Sequence, residues 1–286
     1  MTVLTYHALV EQPGELDSFP PGSRHYVFTV DEFRRHLDHL AAEGFITIAL
    51  ADFLRWHERE AELPERPIAL SFDDGHCSNA SLALPALLDR KQRAIFFVTA
   101  GRIAGDCAFG SSIRNPQSAI RNRDGWMSWC DLRSLLEAGM EIGSHTLTHR
   151  NPSSLSRDEL RHELAESKRV LEEGLGAAVD FVASPTGYDS RHFAALARET
   201  GYKAALQGVI GRNTRSTDLF ALRRIVLKRS HGFDTFRRLV DPASRAWVTL
   251  RAKQAARNAV RRVLGARGYE AIRGLFLGKH KAKKGG

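Results

Sequence analysis

Two short stretches carry residues whose types and spacing could do hydrolytic chemistry, Ser71-Phe72-Asp73-Asp74-Gly75 and Ser144-His145-Thr146-Leu147-Thr148-His149. Two imidazoles at i and i+4 share one face of a helical turn. With one carboxylate they make a three-ligand site for a divalent metal that leaves a position open for water, the pattern of catalytic zinc. Adjacent carboxylates at a strand end point in different directions, so one can ligate while the other stays free as a general base. Each signal alone is weak. The 12 histidines of the chain give by chance roughly one half of a His-x-x-x-His pair, and its 16 aspartates roughly 0.8 of an Asp-Asp pair. Taken singly, the stretches read as a capped turn and two surface imidazoles. Context changes the weighing, because each follows a run that reads as a buried strand, and both then reach the same mouth of a parallel sheet.

The elements that must position them alternate along the chain. Strand-like runs are Val3 to His7, Ile46 to Leu50, Pro67 to Phe72, Ala94 to Val98, Met140 to Ile142, Val179 to Ala183, Tyr202 to Leu206 and Leu222 to Leu227. Between them lie helical patterns. Thr29-Val30-Asp31-Glu32 and Ser156-Arg157-Asp158-Glu159 are capping boxes, the second opening a helix that lasts to Gly174 or Gly176. Ser128 to Ala138, Asp52 to Glu60 and Arg191 to Glu199 are further helices, and Gly101 to Gly125 is a long polar loop of the kind that binds ligands. Such alternation predicts a parallel sheet with covering helices, and seven or eight strands in a chain of this size favour a (β/α) barrel over an open sheet. Function then collects at the loops after the strands' C-terminal ends.

The chain has 286 residues, 43% of them hydrophobic, which excludes disorder. No apolar run is long enough to span a bilayer and the first residues lack the pattern of a signal peptide, so a cytoplasmic location is expected. Cys77, Cys107 and Cys130 show no metal-binding spacing and read as reduced thiols. The net charge of +9 is unevenly placed. From Arg245 onward there are twelve Lys/Arg and one acid, Glu270, which leaves residues 1–244 at −2. A nearly neutral body, 1–244, therefore carries a basic tail, 245–286. Without a basic groove or reading motif in the body, nucleic acid is not expected as a partner. In the tail, Val248, Ala252, Ala255, Ala259 and Val263, then Tyr269, Ile272, Leu275 and Phe276, recur at helical spacing opposite Arg and Lys. Such basic amphipathic helices either pack on the barrel or bind an anionic membrane surface.

The two stretches, taken in order with Ala94-Ile95-Phe96-Phe97-Val98, Leu135 to Gly143, Glu166-Ser167-Lys168 and Glu199-Thr200-Gly201-Tyr202, resemble the polysaccharide deacetylases, the NodB-homology domains of carbohydrate esterase family four, over roughly residues 1 to 240. The resemblance implies a distorted (β/α) barrel that removes N- or O-acetyl groups from sugars with a divalent metal, Zn²⁺ in first place. It implies Asp73 as base and Asp74, His145 and His149 as ligands. The family's third motif appears as Ala183-Ser184-Pro185-Thr186-Gly187, where the backbone of Thr186 would serve as oxyanion donor. No arginine stands there to orient the base. The family's late acid-bearing histidine has its nearest counterpart in His231.

His7 and His76 end or follow predicted strands and are candidates to contact substrate, His7 also as acid, with Pro185 and Thr186 beside them. A satisfied core imidazole for His7 and a helix-start role for His76 are the plainer readings. Trp126 and Trp129 suit sugar stacking or core packing. The expectation is a metal-dependent deacetylase acting on an N-acetylated glycan or lipid-linked precursor, at the inner membrane face if the tail binds there. A non-catalytic saccharide-binding or membrane-scaffold protein on the same barrel is the alternative.

Overall fold

The computed structural model describes residues 1–105, 125–187 and 192–260. Strands β1 (Thr2–Tyr6), β2 (Leu9–Val10), β3 (Phe28–Thr29), β4 (Ile46–Thr47), β5 (Pro67–Phe72), β6 (Ile95–Val98), β7 (Glu141–Ser144), β8 (Phe181–Ala183), β9 (Ala204–Leu206) and β10 (Ile225–Val226) alternate with helices. Eight of them form one parallel sheet in the order β10-β1-β5-β6-β7-β8-β9, with β4 also pairing β5, while β2 and β3 make a separate ladder. Beyond β9, Leu222 bridges to Leu206, and shortly afterwards Ile225 pairs with Leu4 of β1. One segment thus touches both sheet edges and draws the sheet into the expected distorted barrel.

The helices are α1 (Val30–Ala42), α2 (Leu50–His57), α3 (Leu84–Leu88), α4 (Trp129–Glu137), α5 (Arg157–Leu175), α6 (Phe193–Glu199), α7 (Gly232–Val240) and α8, residues 246–260. Both expected capping boxes form. Glu32 N donates to Thr29 Oγ1 at 3.1 Å and Thr29 N to Glu32 Oε2 at 2.8 Å, while Ser156 and Glu159 make the same exchange ahead of α5. Strand alternation divides the core in two. Leu4, Tyr6, Leu70, Phe72 and Phe96 pack under the helices, whereas Val3, Ala69, Ile95, Phe97, Phe181 and Leu206 join Leu50 and Phe53 of α2 in a second cluster inside the sheet. The start of α2 is tied to the start of β7, where the Glu141 carboxylate accepts from Leu50 N (2.6 Å) and Ala51 N (3.0 Å). That closes one end of the barrel and leaves the other for function.

Two expectations change. Cys130 is disulfide-bonded, so the reading of all the cysteines as reduced thiols is corrected, while Cys77 is free. At the start of the basic tail, α8 packs on the barrel through Ala246, Trp247 and Leu250, and Gln254 accepts from Ile210 N at 3.0 Å. Trp247 and Leu250 take the inner face, so the expected stripe of Val248, Ala252, Ala255 and Ala259 lies exposed. The tail beyond residue 260 and most of the polar loop, residues 106–124, lie outside the described residues.

Candidate active site

Register decides which residues meet. Tyr6 pairs with Phe72, Phe72 with Phe96, Val98 with Ser144, and Ser144 with Val182. The residues just beyond these strand ends, His7, Asp73, His145 and Ser184, therefore share one mouth. The backbone there is strained. Asp74 (φ 77°), Thr146 (φ 66°), His149 (φ 62°) and Thr186 (φ 62°) adopt the left-handed region, and among the described non-glycine residues only Arg59 and Lys91 do so elsewhere. Left-handed backbone costs an L-residue roughly 1–2 kcal/mol, and it persists where surrounding structure enforces it.

His145 and His149 converge on Asp74. His149 Nε2 lies 3.0 Å and His145 Nε2 3.5 Å from Asp74 Oδ1, with His145 Nε2 3.7 Å from Asp73 Oδ2. His145 Nδ1 is 2.9 Å from the Ala183 carbonyl. A carbonyl only accepts, so Nδ1 carries the proton and Nε2 keeps its lone pair for a ligand, the outer-shell arrangement of metal-binding histidines. Burial, set against the nearby Asp73 and Asp74, lowers the His145 pKa to about 4, so the ring is neutral at physiological pH as a ligand must be. Burial alone would raise the Asp74 carboxyl. The His149 ring, followed by His7 and His145, outweighs it and holds Asp74 well below the usual carboxylate range. Asp74 Oδ1 is nonetheless buried, and no hydrogen bond in the structure is aligned on it. One ligand atom from each of the three residues falls within 4.8 Å of the others. An orphaned carboxylate oxygen facing the Nε2 atoms of two imidazoles fits a divalent metal.

Asp73 is clamped by an arginine that the sequence reading did not find. Arg224 Nη1 donates to Asp73 Oδ1 at 2.8 Å and Oδ2 at 2.7 Å, Nη2 donates to the Ser184 carbonyl at 2.9 Å, and Nε to the Gln207 carbonyl at 3.3 Å. Both side chains are almost wholly buried. The conclusion that no arginine orients the base is thereby corrected: the guanidinium comes from the segment that closes the barrel, not from the loop after β8. A signal was present, since Arg224 is a charged residue inside a stretch predicted to be a buried strand, and buried charges are paired or functional.

The remaining candidates separate. The His7 ring stacks on Tyr26 with centroids 4.9 Å apart, its Nδ1 is buried without a partner, and its charge acts on Asp74. His76 Nδ1 lies 2.8 Å from Ser78 Oγ and accepts from Ser78 N at 3.2 Å, the helix-start role, while burial lowers its pKa against the pull of Asp74. Pro185 is buried and Thr186 exposed in the turn after β8. His231 sits in a short turn, Arg229–His231, lining a small cavity with Phe28, Glu32 and His36, and burial followed by Lys228 lowers its pKa. Among the described residues no contact joins His231 to Asp73 or the metal-ligand set. Trp126 bridges to His76 beneath the Arg102 guanidinium, whereas the Trp129 ring fills the space at Gly174 of α5.

Comparison with known proteins agrees with this geometry. The polysaccharide deacetylase family model matches residues 60–205. YxkH of Bacillus subtilis is 22% identical over 194 residues, 68% of this chain and 63% of the relative. The peptidoglycan-N-acetylglucosamine deacetylase of Bacillus cereus is 27% identical over 143 residues, 50% of this chain and 56% of that protein. The chain thus covers less than two thirds of the length of either relative. In fold it resembles the Streptococcus pyogenes deacetylase PplD (TM-score 0.69, 19% identity, 85% of this chain and 98% of that one) and IcaB from Ammonifex degensii (TM-score 0.65, 21% identity, 84% and 94%). With the family model spanning half the sequence and both of its first two motifs, the chain belongs to the polysaccharide deacetylase family.

Proposed function

We propose that the protein is a metal-dependent carbohydrate deacetylase, hydrolysing the amide of an N-acetylated glycan or glycan precursor to acetate and an amine. The observation that carries this is the pairing of Asp73 with Arg224 directly beside Asp74, His145 and His149. A divalent metal held by Asp74, His145 and His149, Zn²⁺ in first place, would supply Lewis acidity and lower the pKa of water from 15.7 to ~7. Asp73 takes the proton of the attacking water as general base, since Arg224 fixes its carboxylate in place while Oδ2 stays 3.7 Å from the ligand His145. The backbone N–H of Thr186 donates to the developing oxyanion. We place the acid at His7 rather than His231, because His7 is beside Asp74 with an unpartnered ring nitrogen. Its role is to protonate the leaving amine. The curated relative from Bacillus cereus, named for removing acetyl groups from peptidoglycan N-acetylglucosamine, supports an N-acetyl substrate.

A non-catalytic protein on the same barrel rests on two features, the missing third-motif arginine and the lack of a clear acid, and Arg224 answers the first of them. Peripheral contact of residues 245–286 with an anionic membrane is part of the proposal, supported by the exposed side chains of Arg245, Arg251, Lys253 and Arg257. Placement in the cytoplasm at the inner membrane face is part of it too. The disulfide at Cys130 weighs against that placement, because disulfides persist in oxidising compartments, and cell fractionation decides.

The test separates base from ligand. Asp73→Asn should keep its metal while acetate release falls by ~10² to 10⁴, whereas Asp74→Asn should lose metal and activity together. Equal metal loss in both variants contradicts the assignment, and acetate release indifferent to chelator removes the metal from the reaction.

A further inference from the structure

The turn joining the two histidines is held from both sides by groups that play no part in the chemistry described above. On one side Glu163, a residue of α5 only 4% exposed, accepts from Leu147 N at 3.0 Å and Thr148 N at 2.8 Å through Oε2, and from the Thr148 hydroxyl through Oε1. One helical turn further along the same face, Ser167 Oγ is 2.8 Å from Ser144 Oγ, which in turn accepts from Thr146 N at 3.1 Å. On the other side, Ala100 N donates to the Thr146 carbonyl at 3.1 Å and Gly101 N to the Leu147 carbonyl at 2.8 Å. The approach is close enough that a Cβ on Gly101 would stand 2.6 Å from Leu147 O. Every residue from Thr146 to Thr148 thus has its backbone fixed from outside the turn.

The turn needs this restraint. Thr146 and His149 both have positive φ, a conformation that relaxes unless neighbours enforce it. Relaxation would swing His149 away from His145 while leaving His145 anchored on Ala183. Glu163 is also a costly residue to bury. A carboxylate at 4% exposure, with three donors from a single turn, is a poor way to stabilise a core but a direct way to fix a loop. Resting on the metal-centre reading above, we propose that Glu163 is a positioning residue that holds the His145–His149 turn in its ligating conformation and so sets the affinity of the site for its metal.

Zn²⁺ affinity by chelator competition, with the visible spectrum of the Co²⁺-loaded protein, tests this without any assay of turnover. Glu163→Gln keeps a carbonyl oxygen for the two N–H donors and an amide for the Thr148 hydroxyl, so its affinity should stay within about threefold of the unsubstituted protein. Glu163→Leu fills the space without accepting, and should bind Zn²⁺ some 10- to 100-fold more weakly with an altered Co²⁺ spectrum. Gly101→Ala presses on the turn from the opposite side and should weaken binding similarly, which decides the matter if the leucine variant does not fold. Unchanged affinity in a folded leucine variant overturns the proposal, as does a glutamine variant as weak as the leucine one, since charge rather than anchoring would then be responsible. Failure of the unsubstituted chain to bind Zn²⁺ sinks the metal centre itself, and the inference with it.

Discussion

At the scale of single residues the site is a contrast between two carboxylates that differ by one position. Asp74 faces imidazoles and has no aligned donor on Oδ1, whereas both oxygens of Asp73 accept from a buried guanidinium. Lysine could replace the charge at 224 but not the fork that reaches Asp73, Ser184 and Gln207 together. Arg224→Lys should therefore retain metal while kcat/KM for a soluble acetylated sugar falls at least tenfold, and Arg224→Met, which strands a buried carboxylate, should lose roughly 3–5 kcal/mol of stability. A lysine variant with full activity would show that the fork does not orient the base. What the sequence reveals here follows from locality. Asp73, Asp74, His145 and His149 are visible because their spacing and strand-end positions are properties of short stretches. Arg224 and Glu163 act on residues far along the chain, and only the register of the closed sheet shows what they touch.

Among the elements, helices with capping boxes are legible to within a residue or so, because Thr29–Glu32 and Ser156–Glu159 are self-contained exchanges of hydrogen bonds. The strand expected over Leu222 to Leu227 is in fact Ile225–Val226, since Arg223 and Arg224 divert the chain as it passes from one sheet edge to the other. The β2–β3 ladder leaves no periodic trace, each strand having two residues. Element packing also makes a prediction about pH. His36 of α1 is buried face-on against Phe236 of α7, with ring centroids 3.9 Å apart, and its Nδ1 lies 3.0 Å from the Tyr6 hydroxyl. Burial, then Arg35 and His39, lowers its pKa to about 3. Between the ordinary histidine value near 6.5 and about 3 the unfolded chain binds the extra proton, so stability is full above that window and drains away as pH falls through it. His36→Gln should be less stable at pH 7 yet lose less on acidification to pH 4, measured by urea unfolding. Parallel acid limbs in the two proteins would mean that His36 does not control the effect.

For the molecule as a whole, the question is where the body ends and the tail begins. Charge alone puts the boundary at Arg245, but packing carries the body further. Trp247 and Leu250 rest on the barrel core, and Gln254 satisfies the Ile210 amide. Deleting everything from 245 should thus uncover apolar surface and orphan a backbone donor, at a cost of ~1–3 kcal/mol and a Tm lower by several degrees. Deleting only residues 261–286 should leave Tm and turnover of a soluble sugar unchanged. That shorter cut removes eight of the twelve basic residues of the tail, each worth ~1 kcal/mol near an anionic surface. If the tail reaches a membrane, the shorter truncation should lose most of its sedimentation with anionic vesicles at low salt. Arg251, Lys253 and Arg257, exposed on α8, would retain a weak, salt-sensitive remainder. Vesicle binding that survives the shorter cut undiminished, or that ignores 1 M salt, excludes the electrostatic tail. A Tm unmoved by the longer cut would in turn show that α8 adds nothing to the barrel.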